Sequence, residues 1–269
     1  MINASIVLYN HSPEELSSLI QALLKSKLVS KLFLVDNSSK RTEEFESFEV
    51  DYIFNGKNLG YGAAHNIAIR ETIASDIDYH LVLNPDIDLQ TDVLENIESF
   101  MNDNPDIGLL MPKVFFPNGE IQYLCKLLPT PFDLIFRRFL PKKWTKARRD
   151  YFELRKSGYS ATMDVPYLSG SFMFMRSDAL KKVGLFDERF FLYPEDIDLS
   201  RRIHKHFRTV FYPKVSIIHK HEQASYKNNK MLLVHITNMS KYFCKWGWIF
   251  DRERKEINKR TLEQLNLKN

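Results

Sequence analysis

Cysteine is scarce: among 269 residues only Cys125 and Cys244 occur, far apart and in unlike contexts. That excludes a disulfide framework and a CxxC metal site, and a reduced cytoplasmic setting is the expectation. Long apolar runs are missing as well. Nowhere do about 18 consecutive apolar residues occur, so no ordinary spanning helix is expected and any membrane contact is peripheral. The opening MINASIVLYN has no basic flank before an apolar run and no small-residue cleavage site, so no signal peptide is expected. Neither sign of charge dominates. With 38 Lys plus Arg against 34 Asp plus Glu, the net +4 is too near balance to single out nucleic acid as a partner. No internal repeat or low-complexity stretch occurs.

What is there is the composition of a folded globular protein, 44% hydrophobic and 27% charged. Its charge is unevenly spread. Residues 137–156 carry nine basic and two acidic side chains, and residues 220–269 carry eleven and five, leaving −9 for the rest of the chain. An acidic body with two basic patches therefore underlies a mildly basic average.

Local pattern predicts an α/β protein. A buried strand over 4–9 precedes Ser12-Pro13-Glu14-Glu15, an N-cap, a proline at the first helical position and a capping-box glutamate. Leu16, Leu19, Ile20, Leu23 and Leu24 then recur at helical spacing. A strand over 31–35 ends in Asp36-Asn37-Ser38-Ser39, completing a βαβ pattern whose ligands gather at the carboxyl ends of the strands. The pattern continues with strands over 52–54, 79–83 and 108–111, and helices over 60–74 and, capped by Thr91, over 91–101. Asn118-Gly119 reads as a hairpin turn. Residues 126–160 mix prolines, basic residues and aromatics and read as an insertion or helical excursion. Beyond it come a strand over 166–175, helices over 177–183 and 195–206, two closing strands over 209–212 and 215–219, and a helical tail from 228. These predictions divide the chain into one α/β domain over residues 1–225, with a basic insertion at about 126–160, and a basic amphipathic tail over residues 226–269. The tail aromatics Tyr242, Phe243, Trp246 and Trp248 either pack on the domain or lie on anionic lipid.

Three polar clusters stand out: Asp36-Asn37, Asn84-Pro85-Asp86-Ile87-Asp88, and Glu195-Asp196-Ile197-Asp198. Such carboxylates either cap the next helix or hold a hard cation against a phosphate. The segment from Asn58 to Asn66 has Gly60 and Gly62 but no third glycine, and does not follow the first strand, so it is no dinucleotide fingerprint. It is a glycine-permitted turn into a helix N-terminus, a favourable place for a phosphate-bearing ligand.

Together with Leu168-Ser169-Gly170-Ser171, the run from Val183 to Leu199 and Ile218-His219, these clusters resemble the inverting family 2 glycosyltransferases of the GT-A fold. Within that family they are similar to rhamnosyltransferase-like enzymes of bacterial surface-polysaccharide assembly. The resemblance runs from Ser5 to about Ser225. It implies a Rossmann-like nucleotide-binding half plus an acceptor-binding half around a mostly parallel mixed sheet.

It further implies a donor site of Leu8, Tyr9, Asp36, Asn58, Gly60, Asn66, Asn84 and Gly170, with Leu8, Tyr9 and Asp36 around the nucleobase and ribose. An aspartate can accept a pyrimidine N3–H. The family's Asp-x-Asp metal motif reads Asn84-Pro85-Asp86 here, which makes Asp86 the implied ligand of Mg2+ or Mn2+ and Asn84 a neutral contact. Asp88 reads as a capping or surface group. Asp196 matches the general base and Glu195 an acceptor contact, while His219 completes the metal site with His221 as a spare. His204 and His206 read as a solvated face. The implied partners are a nucleotide-diphosphate sugar donor (dTDP-rhamnose or a UDP-sugar), a glycan or lipid-linked saccharide acceptor, and anionic lipid at the inner face of the cell membrane. Residues 137–156 would serve the same lipid or clamp an acceptor diphosphate. Competing readings are a sugar-1-phosphate nucleotidyltransferase, which needs a glycine-rich basic loop where Tyr9-Asn10-His11-Ser12 stands, and a non-catalytic nucleotide-sugar-binding module.

Overall fold

A computed structural model describes residues 1–90, 92–141, 143–220 and 229–267. The expectations for Thr91, His221 and the tail's first residue at 228 fall outside them.

Alternating apolar segments form strands β1 (Ile2–Leu8), β2 (Val29–Asp36), β3 (Asp51–Phe54), β4 (Tyr79–Leu83), β5 (Ile87–Asp88) and β6 (Ile107–Phe115). After the insertion come β7 (Cys125–Lys126), β8 (Met163–Asp164), β9 (Tyr167–Leu168), β10 (Phe172–Arg176) and β11 (Arg208–His219). The main sheet runs β3-β2-β1-β4-β10-β6-β11-β5, with β8 on β11, while β7 and β9 pair apart from it. Strands β3, β2, β1 and β4 are parallel. Strand β10 is antiparallel to both its neighbours, β4 and β6. This mixed order joins the parallel half β3-β2-β1-β4 to a second half through one continuous sheet.

Helices α1 (Pro13–Lys25), α2 (Tyr61–Ala74) and α3 (Val93–Asp103) link the first strands. In α1 the Ser12–Glu15 capping box forms and Leu16, Leu19, Ile20 and Leu23 are buried, whereas Leu24 falls off that stripe and is exposed. Helix α3 starts two residues later than predicted, after Asp92 in a left-handed conformation. The turn at Asn118-Gly119 closes as expected, with Gly119 N–H donating to the Phe116 carbonyl at 2.9 Å.

Two strand predictions change for a physical reason. The strand expected over 166–175 is split, because residues 169–171 leave the ladder between β9 and β10. The two strands expected over 209–219 are one, β11, whose register against β6 shifts between Tyr212 and Ser216. Pro213 lies in that shift and has no N–H to give the ladder. His204 is no solvated histidine either: its Nδ1 lies 2.7 Å from Thr209 Oγ1 on β11.

The insertion folds as short helices α4 (Pro131–Leu134) and α5 (Lys146–Phe152). They are tied by Arg148, whose guanidinium donates to buried Asp133 at 2.6 Å. Helices α6 (Ser177–Val183) and α7 (Glu195–His204) follow, and the tail forms two helices, α8 (Asn229–Trp246) and α9 (Arg252–Gln264).

The tail packs on α7. Arg201 is 1% exposed and donates to both oxygens of Asp251, at 2.7 and 2.8 Å, and to Glu253 at 2.7 Å. Its guanidinium lies 4.0 Å from the Trp246 ring centroid, and Trp246 donates to Asp198 at 2.8 Å. Tyr242 and Phe243 are fully buried. The contact pairs a cation of the body with acids of the tail, and Lys245 of the tail with Asp187 and Asp198 of the body at 2.9 and 2.6 Å. Asp251→Ala, which leaves Arg201 buried with Glu253 alone, is expected to destabilise the fold by about 3 kcal/mol, measured by urea denaturation.

Candidate active site

The carboxyl ends of β1, β2 and β4 meet at one sheet edge. Leu8 closes β1 opposite Asp36, the last residue of β2. Leu8 is buried and Tyr9, just beyond it, is 54% exposed. Asp36 is buried and accepts from Ser38 N–H at 2.8 Å and from the Tyr52 hydroxyl at 2.7 Å. Burial, then that hydrogen bond, pushes the Tyr52 phenol up to about 12, so it stays a neutral donor. Each Asp36 oxygen keeps a second lone pair for a further donor.

The entry to α2 is held by amides. Asn58 Oδ1 accepts from Gly60 N–H at 2.9 Å, and Asn37 donates to the Gly60 carbonyl at 3.1 Å. Gly60 has φ +90°, and a Cβ there would fall 2.3 Å from the Phe191 carbonyl oxygen, so only glycine fits. Asn66 was expected to touch the donor. Its amide instead donates to the Phe186 carbonyl and Glu188 Oε1, both at 2.9 Å, and accepts from Phe186 N–H at 3.0 Å. Asn66 is fully engaged within the chain, while Asn58 is exposed and uses its Oδ1 to hold the turn at Gly60.

Tyr61, which sequence reasoning left without a role, joins the two halves. Its hydroxyl lies 3.0 Å from Asn84 Oδ1 and 2.7 Å from the Gly170 carbonyl. The ring packs edge-on against His65 at 4.5 Å. His65 in turn shares the Ser5 hydroxyl with His80, at 2.7 and 2.8 Å, and burial pushes His80 down to about 3. Burial, followed by the neighbouring acidic groups Glu195, Asp196 and Asp86, raises the Tyr61 phenol well above its usual range. A neutral hydroxyl is therefore fixed among three carboxyl groups.

Asp86 and His219 meet across β5 and β11, with Asp86 Oδ1 3.2 Å from His219 Nε2. Asn84 Nδ2 lies 3.4 Å from the same nitrogen. Gln122, also absent from the sequence reading, orients the ring. Its Nε2 donates to the His219 carbonyl at 2.7 Å, which turns Oε1 toward His219 Nδ1 at 2.9 Å. Nδ1 then carries the proton, and in the neutral ring Nε2 presents a lone pair. Two lone-pair groups 3.2 Å apart suit a shared cation or a proton. Among the described residues no three His, Cys, Asp or Glu side chains form a metal cage. One carboxylate and one imidazole nonetheless fit a cation whose remaining ligands are waters and substrate phosphates. Asp88 is exposed on β5 and takes no part.

Glu195 and Asp196 open α7, 3% and 8% exposed. Asp196 Oδ2 accepts from Gly170 N–H at 3.0 Å and the Tyr167 hydroxyl at 3.3 Å, while Oδ1 accepts from Ile197 N–H at 2.8 Å. The departure of residues 169–171 from the sheet is what delivers Gly170. Burial raises Asp196, and these donors favour its ionised form. Glu195 has less support: its Oε2 is buried without a hydrogen-bond partner, and backbone hydrogen bonds at Glu195 and Tyr193 only partly offset burial. Burial, then the neighbouring Asp196 charge, raises Glu195 well above the usual carboxylate range. Of the pair, Glu195 holds the proton and Asp196 the charge.

A folded-state pKa above the unfolded one contributes stability below the unfolded value that is lost as pH rises through the folded value. Glu195→Gln removes that loss. The stability difference between this variant and the parent is expected to move toward the variant as pH rises above about 4.5, by up to about 1.4 kcal/mol per pH unit, measured by urea denaturation at pH 5 and pH 8.

Comparison with known proteins places this geometry. The pattern described as "Glycosyltransferase like family 2" matches residues 11–232. N-acetylglucosaminyl-diphospho-decaprenol L-rhamnosyltransferase of Mycobacterium tuberculosis is 30% identical over 179 residues, 61% of this chain and 56% of that protein. The chain thus spans little more than half of that relative's length. Rhamnosyltransferase WbbL of Escherichia coli is 29% identical over 207 residues, 73% of this chain and 74% of its own. Among solved structures, GalNAc-T7 with UDP, GalNAc and Mn2+ superposes with TM-score 0.64 at 13% identity, covering 100% of this chain and 55% of that one. S. aureus TarS 1–349 in complex with UDP gives 0.59 at 13% identity, covering 98% and 71%. The fold is that of the GT-A glycosyltransferases, and the chain belongs to glycosyltransferase family 2.

Proposed function

We propose that this protein is an inverting, metal-dependent glycosyltransferase. It moves a sugar, rhamnose, from a nucleotide diphosphate to a saccharide hydroxyl during assembly of a bacterial surface polysaccharide. The observation that carries the reading is Asp196, a buried carboxylate that accepts from Gly170 N–H and the Tyr167 hydroxyl and whose charge, like that of Asp86, acts on Tyr61. The rhamnosyl preference is supported by the two relatives named for that activity. The mycobacterial name describes a sugar joined to a lipid through a diphosphate, and a lipid-linked diphospho-sugar is the acceptor class proposed here.

In the proposed reaction Asp196 takes the proton of the acceptor hydroxyl. The oxygen bonds to the anomeric carbon as that carbon's bond to the diphosphate breaks, and the nucleoside diphosphate leaves. Glu195, neutral, offers its unpartnered carboxyl to the acceptor. Leu8, Tyr9 and Asp36 hold the base and ribose, and Asn84 and Gly170 flank the sugar. Asp86 and His219 would hold Mg2+ or Mn2+, which supplies positive charge to the departing diphosphate when bound.

Peripheral membrane contact belongs to the same proposal. Phe139 (61%), Trp144 (71%), Ile249 (71%) and Phe250 (91%) are exposed beside the two basic segments. This combination suits an anionic bilayer surface. No helix among the described residues is long and apolar enough to cross a membrane.

Asp196→Asn is expected to lower transfer by about 100- to 10,000-fold while nucleotide binding, read by calorimetry, is unchanged; near-normal turnover sinks the assignment. Since the base must be ionised and burial raises it, kcat of the parent should fall as pH drops through a value above 3.8, the ordinary aspartate pKa. UDP or dTDP should raise the thermal transition more with Mn2+ than without. Asp86→Asn should remove the metal's increment, and an unchanged increment in that variant would refute the metal site.

A further inference from the structure

Lys126 has no part in the steps above, yet it lies beside the proposed base. In the small sheet Lys126 pairs opposite Tyr167. Its ammonium is 5.2 Å from the Tyr167 ring centroid, and the Tyr167 hydroxyl is 3.3 Å from Asp196 Oδ2. The cation, the ring and the base form one chain. The side chain is half-buried, and burial lowers its pKa while the charges of Glu153 and Asp196 hold it up.

Several cations are neutralised at contact distance: Arg148 by Asp133 at 2.6 Å, Arg201 by Asp251 at 2.7 Å and, in the tail, Lys245 by Asp198 at 2.6 Å. Among the described residues Lys126 has no carboxylate oxygen within 4.0 Å. The charge of Arg137 acts on it, and that guanidinium is itself loosely held. Arg137 Nη1 is buried without a hydrogen-bond partner, and its nearest carboxylate oxygen, Glu153 Oε1, is 3.8 Å away. Buried charge is ordinarily paired and hydrogen-bonded. Lys126, whose charge acts on Asp196, and Arg137, whose charge acts on Lys126, leave a place for an anion from outside the chain. The donor's diphosphate is assigned to the Asp86–His219 side, so this second anion arrives with the acceptor.

Resting on the proposed function, we infer that Lys126, assisted by Arg137, binds a phosphate or diphosphate of the acceptor and selects acceptors that carry one close to the sugar being extended. Lys126 is a specificity residue: it holds the acceptor's anion, and Asp196 does the proton transfer.

The test is calorimetric titration of n-butyl diphosphate, with butyl glucoside as the neutral control, into the full chain saturated with UDP and Mn2+ so that the donor site is filled. The parent should bind the diphosphate and not the glucoside. Lys126→Met should weaken diphosphate binding about 10- to 100-fold, the worth of a charge-assisted hydrogen bond, with UDP affinity and melting temperature unchanged. Lys126→Arg should restore most of it. Equal binding by the parent and Lys126→Met, or no diphosphate binding by a parent that still binds UDP, overturns this inference and leaves the proposed function standing. Failure of the parent to bind UDP or dTDP with Mn2+ overturns the proposed function itself.

Discussion

A helix that buries its polar residues sets the terms for the rest of this molecule. Glu195, Asp196, Asp198, Ser200 and Arg201 all lie on α7 and all are under 9% exposed. Water cannot solvate them, so the protein must. Asp196 draws Gly170 and Tyr167 toward it. Asp198 gathers Arg202 at 2.8 Å, Trp246 at 2.8 Å and Lys245 at 2.6 Å, and Arg201 holds Asp251 and Glu253. One end of the helix thereby builds the site, and the other fastens the C-terminal helices.

The same logic separates two adjacent carboxyls into different chemical species. Asp196 has three donors and keeps its charge, while Glu195 has an oxygen with no partner and keeps its proton. Tyr61 links the two sides of the site, because its neutral hydroxyl sits between Asn84 and Gly170. An acidic pocket is a poor place for a diphosphate unless cations enter it. The Asp86–His219 pair suits a metal ion, and Lys126 lies on the side of Asp196. The average charge of +4 hides that division.

Much of this was legible in the sequence. The βαβ pattern, the Ser12–Glu15 capping box and the polar strand ends announced a parallel sheet with its ligands at one edge. The order of motifs from Asp36 to His219 pointed to the family. Where the reading missed, long-range packing decided. Tyr61 lay inside a quoted segment, but its partners are 23 and 109 residues away. Gln122 sits 97 residues from the histidine it orients. Asn66 looks like a donor contact in the chain and proves to be a clamp on the loop at Phe186 and Glu188. Tyr242, Phe243 and Trp246 of the tail pack on the body beside Arg201 and Asp198, contacts that the order of residues does not show.

The sequence by itself determined the fold class, the family and the residue types available at each strand end, because periodicity, caps and ordered motifs are local or nearly local signals. Only the tertiary structure decided which carboxyl holds a proton, which histidine nitrogen faces Asp86, and that Lys126 has no carboxylate at contact distance among the described residues. Those properties depend on burial and on partners brought from distant parts of the chain. Neither is written in the order of residues.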